Sequence, residues 1–231
     1  MQSFNPLDMW HHMGLLDKGV VSILIIMSIY SVWVMIDRFA YFMKARRLSM
    51  QFVLALRERM TKRDLNGALN LSKADPQSPI AKVIYEALSE YRDGLDAIAK
   101  TGPDEVGEFD VVDAVNRAID RVKEREISKM KTGLSGLGTI SAAGPFIGLF
   151  GTVVGIINAF RSMASSGQGG LGAVSAGISE ALVTTAAGLL VAIPALMVYN
   201  YFTNAIETFI VDMNDVSSEL ISYVLREGRE R

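Results

Sequence analysis

The sequence predicts an all-α integral membrane protein with three spans and helices long enough to extend past the bilayer into the cytoplasm. Three observations carry that reading. The 231 residues contain three uncharged apolar runs, Gly19 to Ile36, Thr132 to Phe160 and Ala181 to Ile206. Each run falls within or above the roughly 17–25 residues that a spanning helix needs. Between the first and second runs the chain turns polar and helix-periodic, and its basic residues gather beside the ends of the spans.

Composition narrows the chemistry. Half of the chain is hydrophobic and its net charge is only -2, so neither nucleic-acid binding nor an acidic tail is indicated. With no Cys there are no disulfides, no Cys-based zinc site and no thiol nucleophile. The two His, His11 and His12, are adjacent and would point to different faces of a helix, which makes a poor metal pair. No nucleophile–base pair is visible, and there is no Walker A loop, dinucleotide fingerprint or EF-hand spacing. The chain is therefore expected to be no enzyme and to hold no cofactor or metal.

Residues 1–18 carry Phe4, Leu7, Trp10, Met13 and Leu16 at a spacing near three. That pattern fits either an amphipathic segment in the outer interface, anchored by Trp10, or a disordered leader. The first span is expected over 19–43. It lacks a basic leader and a small-residue cleavage site, so it does not read as a secretory signal. A cytoplasmic helical domain follows over 44–131. Within it Asp64 is placed to cap a short helix ending near Ala74, Pro79 to open the next, and residues 101–107 (TGPDEVG) to form a loop. From Phe109 a charged helix carries Arg117, Arg121 and Arg125 among acids. It is either a solvated face laced with ion pairs or the lining of a cytoplasmic opening for ions.

The second span is expected over 132–161, a short outer loop over 162–176, the third span over 177–206 and a cytoplasmic C-terminal helix over 207–231. At about 1.5 Å per residue the run from Thr132 to Phe160 measures about 43 Å, beyond a hydrocarbon core of about 30 Å. Its Gly-rich start, Thr132 to Thr139, is expected to project into the cytoplasm and continue the charged helix. Lys44, Arg46 and Arg47 follow the first span, and Arg117 to Lys131 precede the second, whereas the loop between the second and third spans has only Arg161 as a cation. By the positive-inside rule the N-terminus lies outside and the C-terminus in the cytoplasm.

The membrane core carries the functional signal. From Thr132 to Ile206 only Arg161 and Glu180 are fully charged, and an ionisable residue inside a membrane is a functional-site hypothesis by default. Glu180 shares a helix face with Thr184, and Thr185 lies beside it. In the second span Gly144, Gly148, Gly151 and Gly155 fall on one face, with Thr152 beside them. Such a face lets another backbone come close, whether from the same subunit or from a neighbour. Pro145 and Pro194 each remove a backbone donor inside a span and tend to kink it. A hydroxyl can donate and accept, so Thr152, Thr184 and Thr185 near one carboxyl favour a polar path, although a lone Thr bonds back to its own helix. Three spans with so little polar surface cannot enclose a path, which implies a homo-oligomer.

The stretches GPFIGLFGTVVGIINAF (Gly144 to Phe160) and GISEALVTTAAGLLVAIPALMVYNYF (Gly177 to Phe202) resemble the MotA/TolQ/ExbB proton-channel family, most closely its ExbB/TolQ branch. The resemblance covers the whole topology and is looser over residues 44–131. It implies a homopentameric ring around an ExbD/TolR-like dimer of single-span chains that supply an intramembrane Asp. It further implies a stator in the bacterial inner membrane, in which ion flow drives force on the cell envelope and a third, energy-transducing envelope protein is a further candidate partner. By position Thr152 and Thr185 match the family's pore-facing threonines, Glu180 its outer carboxyl, and Pro145 and Pro194 its kinks. Flagellar stators, with four spans, are disfavoured. Protons are favoured over sodium ions. ExbB-like transport, TolQ-like envelope maintenance and gliding motors stay open, and a non-conducting membrane scaffold is the alternative from a different class.

Overall fold

The computed structural model describes residues 14–101, 108–166 and 171–229. Most of the expected interfacial segment (1–13, with His11 and His12) and of the loop at 102–107 lies outside the described residues, as does the centre of the outer loop, 167–170. The described residues form six helices and no strand: α1 (Leu15–Thr61), α2 (Leu65–Ala74), α3 (Pro79–Thr101), α4 (Glu108–Met130), α5 (Leu134–Ser166) and α6 (Leu171–Arg229). Three of them, α1, α5 and α6, are long and apolar enough to cross a membrane.

The chain divides into two compact units, one comprising Met1–Asp37 and Gly133–Phe202, the other Arg38–Thr132 and Thr203–Arg231. Helices α1 and α6 each contribute to both. The polar boundaries at Asp37 and Glu207 are therefore not helix ends. Neither is followed by a Gly, a Pro or a capping residue that would stop the ladder.

The first unit is built from the apolar parts of α1, α5 and α6. Its outward surface is large and apolar, including Ile23, Ile26, Ile29 and Trp33 on α1, Phe146 and Phe150 on α5, and Leu190 and Met197 on α6. Water would not tolerate so continuous a belt, but lipid or a neighbouring span would. The start of α5 corrects the expectation that Thr132 to Thr139 continues the charged helix. Helix α4 stops at Met130, and Gly133, at φ 79°, takes a left-handed turn before α5 begins. The Gly133 carbonyl then accepts the first bond of α5, from the Leu137 N–H at 3.3 Å. A side chain at Gly133 would be strained and would also sit 3.1 Å from Val34 Cγ1.

The second unit is a helical domain whose core includes Phe52 and Leu56 from α1, Val83, Ile84 and Leu88 from α3, Val115 and Ile119 from α4, and Met213 and Leu220 from α6. Phe42 and Phe209 pack edge-on with ring centroids 5.9 Å apart. Asp64 caps α2 by accepting from the Gly67 N–H at 2.8 Å. That bond, reinforced by Arg59, holds its carboxyl below the usual carboxylate range. The cap is thus complete at neutral pH and is lost as pH falls through the lowered value. Ser78 caps α3, its Oγ accepting from the Ala81 N–H at 3.2 Å and facing Ser49 Oγ at 3.1 Å.

Several charges on α4 are paired at the surface, among them Arg117 with Asp113 and Arg121 with Glu86. Glu126 is different. It is 1% exposed, and its two carboxylate oxygens accept from Lys82 Nζ at 2.9 Å and Lys129 Nζ at 2.6 Å. Removing one partner of a buried pair costs about 3–5 kcal/mol. Lys82 is 31% exposed and Lys129 remains, so Lys82→Met should destabilise this unit by about 2 kcal/mol. The double variant Lys82→Met, Glu126→Met should recover most of that loss, because apolar replacement of a whole buried pair is close to neutral. Thermal unfolding in detergent would show both effects, and a double variant no better than the single would refute the coupling.

Candidate functional site

Helices α5 and α6 approach each other through glycine. A Cβ added at Gly144 would lie 3.2 Å from the Gly188 carbonyl oxygen, and one at Gly148 would lie 3.0 Å from both Thr184 O and Thr185 Cα. One at Gly155 would meet Ala181 Cβ at 2.8 Å, and one at Gly151 would collide with the Thr184 methyl and reach Val20 Cγ1 at 3.1 Å. The glycine face is therefore filled from within the chain, by α6 and by Val20 of α1. The small residues around Thr152 do not leave an empty berth for another helix.

This close approach brings two hydroxyls together. Thr152, 6% exposed, donates from Oγ1 to the Leu149 carbonyl at 2.7 Å, and Thr185 Oγ1 donates to Thr152 Oγ1 at 3.4 Å. The first is a firm back-bond within α5. The second spans the two helices at the outer limit of hydrogen-bond length. Thr185 is half-buried, whereas Thr184 is 3% exposed with its methyl group against Gly151. The structure thus pairs Thr152 with Thr185 and places Thr184 in the helix interface. Glu180 lies one turn before Thr184 on α6 and is half-buried.

Pro145 is half-buried inside α5, and Pro194 is exposed inside α6. Lacking N–H groups, they leave the carbonyls of Ser141 and Leu190 without their helical donors. Among the described residues no group of three or more His, Cys, Asp or Glu could hold a metal ion.

One polar pair was not anticipated from the sequence. Asp17, in the first turn of α1 and 8% exposed, accepts from Asn158 Nδ2 of α5 at 3.1 Å, and its Oδ1 is buried without a hydrogen-bond partner. Beside Lys18 and just ahead of an uncharged run, Asp17 reads as an interfacial charge. Only an uncommon Asn near the end of the second apolar run hinted at a partner.

The model of the MotA/TolQ/ExbB proton channel family matches residues 75–215. The chain belongs to that family. It is 32% identical over 206 residues to the biopolymer transport protein ExbB of Neisseria meningitidis serogroup A, covering 87% of this chain and 89% of that one. Against the Tol-Pal system protein TolQ it is 36% identical over 144 residues for Pseudomonas aeruginosa, covering 60% of this chain and 58% of the relative. For the TolQ of Haemophilus influenzae the figure is 34% over 162 residues, 63% of this chain and 69% of that one. Helices α5 and α6, with the Thr152–Thr185 pair, lie largely inside the segment that matches the MotA/TolQ/ExbB family.

Proposed function

We propose that this protein is the stator and channel subunit of a motor in the bacterial inner membrane, driven by the proton-motive force and of the ExbB/TolQ type. Five copies enclose the spans of a two-chain, ExbD/TolR-like partner whose intramembrane Asp carries the ion, and ion flow is converted into force on the cell envelope. The N-terminus lies outside and the C-terminus in the cytoplasm, in keeping with the basic residues that follow α1's apolar run and precede α5. Protons are the favoured ion, since hydroxyl and carboxyl groups exchange them directly.

The carrying observation is the Thr152–Thr185 hydroxyl pair, held across two helices in a member of a proton-channel family. An ionised carboxylate in the membrane is costly by several kcal/mol unless donors meet it. A hydroxyl can donate to the ionised form and accept from the protonated one. Five such pairs around a ring would offer the partner's Asp the same environment at each step. The test is reconstitution into vesicles with the single-span partner. Proton uptake should depend on both the imposed gradient and the partner's Asp, and uptake no greater than in protein-free vesicles would refute the reading.

In this reading Glu180 is the outer ionisable group. Glu180→Gln keeps the shape and removes the charge, so proton flux should fall about tenfold while the complex still assembles. Normal flux through the Gln variant would show that Glu180 need not titrate.

A further inference from the structure

We propose that protons leave the inner half of the path through a groove that carries the hydroxyls of Ser135, Thr139, Ser141 and Tyr199 and is occupied by a chain of water. The inference rests on the proton-channel reading above. The groove measures about 700 Å³ and is cut into the first unit, on α5 and α6. Four hydroxyl-bearing side chains, Ser135, Thr139, Ser141 and Tyr199, lie along it among Ala142, Ala143 and Phe146.

Ser141 and Tyr199 connect the groove to the threonine face, whereas Ser135 and Thr139 lie about 100° and about 140° round α5 from Thr152. Ser141 precedes Thr152 by eleven residues, so at about 100° per residue it lies within about 20° of the same face of α5 and about 16 Å along the axis. Tyr199 follows Thr185 by fourteen residues, about 40° off its face and about 21 Å along α6. Both displacements run in the same direction, away from Glu180. Gly138 makes room for the tyrosine: a Cβ there would lie 3.2 Å from the Tyr199 ring.

Two of the groove's hydroxyls donate to backbone carbonyls. Ser141 Oγ already donates to the Gly138 carbonyl at 2.8 Å, and Thr139 Oγ1 donates to the Ser135 carbonyl at 3.0 Å. Their protons are thus committed, which leaves both oxygens as acceptors. Pro145 has no N–H for the Ser141 carbonyl, which adds an acceptor at the same place. Hydrocarbon cannot satisfy such groups, whereas ordered water donates to several acceptors at once and passes protons between them.

The absence of Cys makes the test direct. Single variants Ser141→Cys and Thr139→Cys would be assembled with the partner in vesicles whose cytoplasmic face is outward. A membrane-impermeant cationic methanethiosulfonate would then be added. Leu190→Cys, at a side chain 75% exposed on the apolar belt, is the reference. Both groove cysteines should react at least tenfold faster than the reference, and modification should lower proton flux at least fivefold. Reaction no faster than the reference, in vesicles that conduct normally, would overturn the groove as an exit and leave the channel reading intact. In that case lipid or a neighbouring copy covers it. Fast labelling in a complex that never conducts would instead remove the channel reading, and the exit role with it.

Discussion

The double variant Thr152→Val, Thr185→Val should assemble normally with its partner and lose about 99% of its proton flux. Valine preserves the volume of threonine and deletes the hydroxyl, so the packing of α5 against α6 is retained. What disappears is the bond from Thr185 to Thr152 and the donor set that a partner carboxylate would meet. A hydrogen bond to a charged group contributes about 1.5–3 kcal/mol. Losing roughly 3 kcal/mol at the ionised step slows it by about a hundredfold, at 1.36 kcal/mol per tenfold.

The two single variants should differ. Thr152 is held by a 2.7 Å bond to the Leu149 carbonyl, while Thr185 makes only the 3.4 Å contact. The Thr185 proton is therefore the more readily redirected to a third group, and Thr185→Val should cost more flux than Thr152→Val. Thr185→Ser, which keeps the hydroxyl, should be milder than either. Flux in proteoliposomes at matched complex content is the measurement. Intact flux in the double variant would exclude these hydroxyls from the path.

Much of the architecture was legible in the sequence because the physical requirements are local. A span needs a long uncharged run, and the first and third runs, with the second from Leu134 onwards, fall within helices long enough to cross a membrane. Asp64 and Pro79 mark helix starts through groups that any helix terminus needs, and both sit where the structure begins α2 and α3. The lengths of α1 and α6 were less legible. Charge at Asp37 and Glu207 ends the apolar runs, but helical hydrogen bonds continue across it. Gly133 shows the reverse. Among Gly136 and Gly138 it looks like one more small residue of a continuing helix, and only its positive φ reveals the break. At the candidate site, spacing placed the glycines on one face and left open what occupies it. The answer depends on Gly188 and Thr184, which lie far along the chain. The Asp17–Asn158 bond joins residues 141 positions apart, a pairing that no local pattern encodes.

Gly188→Leu should be the most damaging single substitution in the first unit, with little or no folded protein recovered in mild detergent. The Gly188 Cα faces the α5 backbone, so a Cβ there would lie 2.7 Å from the Gly144 carbonyl oxygen and 3.0 Å from Gly148 Cα. Both are main-chain atoms, and neither can rotate away as a side chain would. Even Gly188→Ala should destabilise. Alanine gains about 1 kcal/mol of helix propensity over glycine, but overpacking of this kind costs about 1–3 kcal/mol or more. The net loss should be up to about 2 kcal/mol, and leucine adds a branched side chain to the same collision. Gly19 supplies the contrast, since nothing lies within 4 Å of a Cβ added there. Gly19→Ala should keep the propensity gain and melt at or slightly above the parent. Thermal melting of the three variants in one detergent would rank them Gly19→Ala, Gly188→Ala, Gly188→Leu from most to least stable. Should Gly188→Ala melt with Gly19→Ala, α5 and α6 do not meet backbone to backbone, and the separation that brings Thr152 to Thr185 would need another cause.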